Sequence, residues 1–196
     1  MPILIAYHTG MRLGEILGLT WDSVWDGNIS ITRQIQYAPG VGCYFCPPKT
    51  ESSVRTIPID GELFAALRKW KAQQAANEMQ HGKAYIYIYE AKDGGLWQMH
   101  KQAQPGKGMT RRALVCTDER GKAIPEKSLS QKLKQHGVNA HSFRHTHATI
   151  CAENGAPPKG IAARLGHSTP IITETLYTHG TDKMQQDTML AFLAKK

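Results

Sequence analysis

Two arginines, a lysine, two histidines and a tyrosine stand in short signatures that together suit attack on a phosphodiester. Arg12 lies within Thr9-Gly10-Met11-Arg12-Leu13-Gly14-Glu15, and Arg144 within His141-Ser142-Phe143-Arg144-His145-Thr146. Cleavage at phosphorus builds negative charge on the non-bridging oxygens, and donors fixed in advance around that charge supply most of the catalysis. A guanidinium is suited to the task because its planar fork donates in pairs and stays charged at any working pH. Tyr177 is the candidate nucleophile. A phenol ordinarily ionises at about 10, so it needs positive charge or a base beside it, which His167, Arg12 and Arg144 could provide. Lys49, in a turn, is the candidate acid for the departing oxygen. Glu15, three residues after Arg12, is expected to orient or neutralise its neighbours rather than react.

Plainer readings compete at each position. A lone arginine on a helix is usually a solvated surface residue, and a tyrosine on an amphipathic helix is usually half-buried packing. His141, His145 and His147 could instead be a metal site serving a nuclease. Against this, Arg144 shares the face of His141 and would repel a divalent cation, and no Asp or Glu lies between His136 and Ala152. Cys43-x-x-Cys46 has the spacing of half a zinc site, yet no second pair accompanies it. No metal and no cofactor is therefore expected.

The elements that must carry these residues can be read from periodicity. Residues 1–24 read as mainly helical, with Thr9 able to cap the helix carrying Arg12. Residues 28–37 alternate as a half-buried strand, and 54–59 give a second strand that Pro58 confines to an edge or an end. The two suggest a small antiparallel sheet with Lys49 near the connecting turn. Asp60 caps a helix running to about Gln80, and 85–89 reads as a short strand. Residues 91–113 are basic without apolar periodicity and read as a loop. Helices follow from Ser128, then over 142–153 and 159–165, and from Thr169-Pro170 through Tyr177. A last amphipathic segment holds Met184, Met189, Leu190, Phe192 and Leu193. The expected fold is mostly α with a small antiparallel β-sheet, of the α+β class.

The chain has 196 residues, 41% of them hydrophobic, so it can bury a core, and its formal net charge is +8. A basic balance of that size favours a polyanion, which binds by releasing counterions from phosphates. No apolar run is long enough to span a bilayer and the first residues lack a basic signal-peptide region. Four scattered cysteines suit a reducing cytoplasm.

Taken in order, these signatures resemble the catalytic domain of tyrosine recombinases, the integrases of phages and conjugative elements. Leu165-Gly166-His167 followed ten residues later by Tyr177-Thr178-His179 is similar to the family's terminal motif, and Lys49-Thr50 with Ser53-Val54-Arg55-Thr56-Ile57-Pro58 to its hairpin. The resemblance implies that Tyr177 attacks a scissile phosphate to give a 3′-phosphotyrosyl link. Arg12, Arg144 and His167 would hold the oxygens, His141 would support proton transfer, and Lys49 would protonate the leaving 5′ oxygen. The bond energy is kept in the phosphotyrosine, so neither ATP nor metal is implied. It also implies double-stranded DNA as partner, a tetramer on DNA and a monomer when free. Residues 1–181 would form the catalytic domain and 182–196 a segment exchanged between neighbours. Only eleven residues precede Arg12, so the family's N-terminal DNA-clamping domain is expected to be missing, by truncation of the gene or of the expressed piece, and DNA binding to be weak and salt-sensitive. The alternatives are a type IB topoisomerase-like nicking and rejoining enzyme, an inert DNA-binding remnant, and the histidine metal nuclease.

Overall fold

The structure, a computed structural model, describes residues 1–167 together with Gln186 and Leu190. The expected helix from Thr169-Pro170, with Tyr177, lies outside the described residues, as does all of the 182–196 segment except those two positions. In chain order the elements are helices α1 (Pro2–Thr9) and α2 (Leu13–Leu17), then strands β1 (Val24–Trp25), β2 (Asn28–Ile31), β3 (Gln34–Ala38), β4 (Gly42–Cys46) and β5 (Arg55–Pro58). Helix α3 (Gly61–His81) leads to β6 (Ile86–Glu90), β7 (Leu96–His100) and β8 (Thr110–Arg112), and α4 (Glu126–Gln135), α5 (Ala140–Glu153) and α6 (Pro158–Leu165) follow.

The helix ends follow local chemistry. Pro2 opens α1 at a position where a missing N–H costs nothing. The Asp60 carboxylate accepts from the Leu63 amide at 2.8 Å and caps α3, and the Asn139 side chain does the same for Ser142 at 2.9 Å at the start of α5.

Strand β2 lies between β1 and β5, pairing Ile29 with Ile57 and Ser30 with Thr56. Pro58 thus ends an edge strand, where its lack of an N–H is harmless. The inward faces of this sheet, α1, α2 and α3 enclose the main core, including Ile5, Ile16, Ile29, Ile57, Leu63 and Leu67. Helices α5 and α6 close a smaller cluster around Ala148, Ala152, Ile161 and Leu165.

Four expectations need correction. Residues 28–37 are not one strand: the chain turns at Thr32-Arg33, and β3 leaves β2 to pair with β4. The expected α+β class holds, but its antiparallel β part is divided among three small sheets of three, two and three strands among the described residues. The 91–113 stretch is not all loop, since it holds β7 and β8, which pair with β6 on either side. Their alternation was hidden because neither strand buries a continuous apolar face. Finally, Thr9 does not cap the helix of Arg12. It closes α1, donating its hydroxyl to the Ile5 carbonyl at 2.6 Å and accepting from the Met11 amide at 3.2 Å.

Candidate active site

Arg12 precedes α2 rather than riding within it, with extended backbone at φ −68° and ψ 148°. Its own amide donates to Glu15 Oε2 at 3.0 Å and its Nη1 to Glu15 Oε1 at 3.1 Å, so one carboxylate both starts the helix and holds the side chain. The guanidinium also donates to Ser53 Oγ at 3.1 Å and to the Gly166 carbonyl at 3.2 Å. About a third of the Arg12 side chain remains exposed, at 35%.

Arg144 sits in the middle of α5 and is 5% exposed. Its two terminal nitrogens reach opposite turns, Nη1 to the Gly10 carbonyl at 2.9 Å and Nη2 to the Leu165 carbonyl at 2.7 Å. These turns need glycine. Gly10 has φ 63°, and a Cβ there would come 2.6 Å from Leu165 and 3.0 Å from the ring of His147. Gly166 has φ 68°, and a Cβ there would come 2.8 Å from Nη1 of Arg55. The glycines of the Thr9-Gly10 and Leu165-Gly166 signatures thus let three segments meet round one point.

Arg55 belongs to the hairpin signature, but the sequence reading gave it no role. It donates to both oxygens of Glu15, at 3.2 and 3.1 Å, to the Ser53 carbonyl at 2.9 Å and through Nε to the Arg164 carbonyl at 2.7 Å. The signal was in the strand period: Arg55 lies two residues before buried Ile57 and so shares its inward face. Ser53, fully buried, stood in the same signature and was given no role because a serine in a turn is commonplace.

Glu15 is 1% exposed at its side chain. Burial works against its charge, but Arg55 and then Arg12 outweigh it and hold the carboxyl below its ordinary value. Three guanidinium groups against one carboxylate leave the site positive. Burial, then the fields of Arg12 and Arg55, lower Arg144 to about 10, so it stays charged at neutral pH.

His167 follows the Gly166 turn. Burial and then Arg144, Arg12 and Arg55 push it down to about 4, so it is a neutral imidazole at pH 7. His141 is one turn from Arg144 on α5, exposed, its ring 5.3 Å from that of His145. Burial, then His145, Arg144 and Arg12, lower it too. Arg12, Arg144 and His141 line one cleft of about 410 Å³, with Gln34 and Gln36 of β3, Glu126 and Ser130 of α4, and Asn139. Lys49 is exposed, four residues before Ser53, and does not line that cleft. Tyr177 lies outside the described residues.

Two rival sites lose their geometry. His147 turns away from His141 and His145, its Nδ1 at 3.0 Å from the Tyr7 carbonyl and its Nε2 accepting from Arg164 Nε at 3.0 Å, so the three histidines do not share a metal. Cys43 and Cys46 are three apart on β4, which puts them on opposite faces.

Residues 1–184 match the phage integrase family. The chain is 29% identical over 199 residues to a XerC-like tyrosine recombinase of Caldanaerobacter subterraneus subsp. tengcongensis, covering 93% of this chain and 46% of that protein. It is 26% identical over 188 residues to the transposase of transposon Tn916 from Enterococcus faecalis, covering 91% of this chain and 42% of the transposase. The chain therefore spans about half the length of the curated relatives it matches. Its fold is similar to that of the Tn1549 transposon integrase solved with transposon right end DNA, at a TM-score of 0.67 and 23% identity, covering 96% of this chain and 57% of that one. The XerA recombinase has the same fold at a TM-score of 0.61 and 18% identity, over 97% of this chain and 57% of its own.

Proposed function

Because the chain belongs to the phage integrase family, we propose that it is the catalytic part of a tyrosine-type site-specific recombinase that integrates or excises a mobile element. The observation that carries this reading is the opening of Arg12 and Arg144 onto one cleft. Both guanidiniums are already fixed by carbonyl and carboxylate partners, so they meet developing charge without reorganising.

The scissile phosphate of a DNA duplex sits in the cleft with its non-bridging oxygens toward Arg12 and Arg144. His167, neutral at pH 7, donates a hydrogen bond to the same phosphate. Tyr177 attacks phosphorus, the bond to the 5′ oxygen breaks, and Lys49 gives that oxygen its proton. His141, at the cleft wall, relays protons to and from the phenol. A 5′-hydroxyl of a second strand then reverses the step, which needs neither ATP nor a metal. Residues 1–181 carry this chemistry, and 182–196 pass to a neighbouring protomer within a tetramer on DNA, the free chain being monomeric. No helix among the described residues is long and apolar enough to cross a membrane, and the place of action is the cytoplasm, where the DNA is.

The test is covalent capture in the presence of a chelator. A pool of nicked suicide duplexes of randomised sequence is expected to yield a protein–DNA adduct with the chain, and none with Tyr177→Phe. No adduct from the unsubstituted chain would favour the inert remnant, and an adduct persisting in Tyr177→Phe would overturn the assignment of the nucleophile. Relaxation of a plasmid without exchange between two sites would point to the topoisomerase-like outcome.

A further inference from the structure

The three carbonyls at the end of α6 take one donor each from three different arginines. Arg55 Nε reaches Arg164 O at 2.7 Å, Arg144 Nη2 reaches Leu165 O at 2.7 Å, and Arg12 Nη2 reaches Gly166 O at 3.2 Å. The last carbonyls of a helix lack partners within it and carry the negative end of its dipole. The end of α6 therefore acts as a template that sets the spacing and tilt of the guanidinium array. Whatever fixes that helix end fixes the array.

The side chain of Arg164 is what fixes it. Its Nη1 donates to the Pro58 carbonyl at 2.9 Å, its Nη2 to the His8 carbonyl at 3.1 Å, and its Nε to His147 Nε2 at 3.0 Å. One residue thus ties α6 to the end of β5, the end of α1 and the middle of α5. The His147 ring completes the tie. With its hydrogen on Nδ1 it donates to Tyr7 O at 3.0 Å, which leaves Nε2 free to accept. Among the described residues no hydrogen bond joins the Arg164 side chain to Arg12, Arg144, His141 or Lys49, and the mechanism above gives it no part.

From this arrangement we infer that Arg164, braced by His147, is a positioning residue for strand cleavage: it holds the α6 terminus so that its carbonyls array Arg12, Arg55 and Arg144. Three fixed acceptors and the planar fork of the half-buried Arg164 make the brace stiff, and lysine, with one compact donor group, cannot replace it. The inference rests on the recombinase reading for its activity arm only.

Two measurements on the whole chain test it. In arginine side-chain ¹⁵N–¹H spectra, Arg164→Met is expected to shift and broaden the Arg12, Arg55 and Arg144 signals while circular dichroism stays unchanged. On suicide duplexes at saturating concentration, the same variant is expected to cleave about 10- to 100-fold more slowly, as displaced catalytic groups do, with half-saturating DNA concentration unchanged. Arg164→Lys is expected to restore little of either. Should Arg164→Met fail to fold, His147 decides: His147→Gln keeps an acceptor for Arg164 Nε and is expected to retain the signals and the rate, whereas His147→Ala loses both. Unaltered arginine signals in folded Arg164→Met, or identical behaviour of the two His147 variants, would overturn the inference. Disordered arginine signals together with no adduct from the unsubstituted chain would leave the positioning intact and sink the recombinase reading instead.

Discussion

Glu15 is the residue on which the site's charge balance turns. Its carboxylate is the shared partner of Arg12 and Arg55, and both it and Arg55 are buried, at 1% and 7% exposure of their side chains. Glu15→Gln leaves two guanidiniums facing a neutral amide, one of them out of water. Breaking a buried pair from one side costs about 3–5 kcal/mol, so a clear fall in Tm at pH 7 is expected. The sign of its pH dependence follows from the lowered carboxyl. The folded value lies below the ordinary 4.5, so the contribution to stability is complete above that value and is lost as pH falls through the folded one. The Tm gap between the unsubstituted chain and Glu15→Gln should therefore hold constant from pH 7 to about pH 5 and narrow as pH falls below 4.5. A gap undiminished at pH 3 would mean that packing, not charge, is what Glu15 supplies. At this scale the signatures singled out Arg12, His141 and Arg144, which line one cleft, and His167, which follows the Gly166 turn. Arg55 also stood in a signature, that of the hairpin, but its role was not legible there, because what reveals it is a carboxylate forty positions away and a carbonyl more than a hundred away.

Elements succeed or fail here at their ends. The turn after α6 was legible because Leu-Gly-His at the close of a helical stretch announces a left-handed glycine, and Gly166 has that conformation. The β7 and β8 strands were not legible, since their faces alternate too weakly to outweigh the glycines and lysines around them. Nor was the break at Thr32-Arg33, where the alternation of 28–37 runs on unchanged while the partner strand changes. The Gly166 turn allows a sharp comparison. Gly155 also has positive φ, 77°, but a Cβ there would meet nothing within 4 Å, whereas at Gly166 it would press on Arg55 and the Ser53 backbone. Gly155→Ala should lose only the left-handed penalty, about 1–2 kcal/mol. Gly166→Ala should lose that and more, because Arg55 must withdraw from Glu15, and chemical denaturation of the two variants measures the excess. Equal losses would show that Arg55 gives way freely and that the turn is not part of the site.

Across the whole molecule the question is how a net charge of +8 divides between general attraction and the cleft. On the proposed reading, long-range attraction from scattered lysines and arginines would draw in any duplex, and each phosphate neutralised would add about −0.9 to the slope of log K against log salt. A guanidinium that meets a phosphate directly differs from one already matched to a carboxylate. Arg12 is both: it pairs with Glu15, yet a third of its side chain stays open to the cleft. If the open part meets a backbone phosphate, Arg12→Gln should weaken binding to duplexes of any sequence alike and make the salt slope shallower by about one unit. Fluorescence anisotropy over a salt series measures that slope with no need for the target site or for cleavage. An unchanged slope would place the bound phosphates elsewhere on the surface and make the Arg12 guanidinium a support for Glu15 alone. The charge pattern favours the first outcome, since Arg55 meets both oxygens of Glu15 and part of the Arg12 side chain stays open to the cleft.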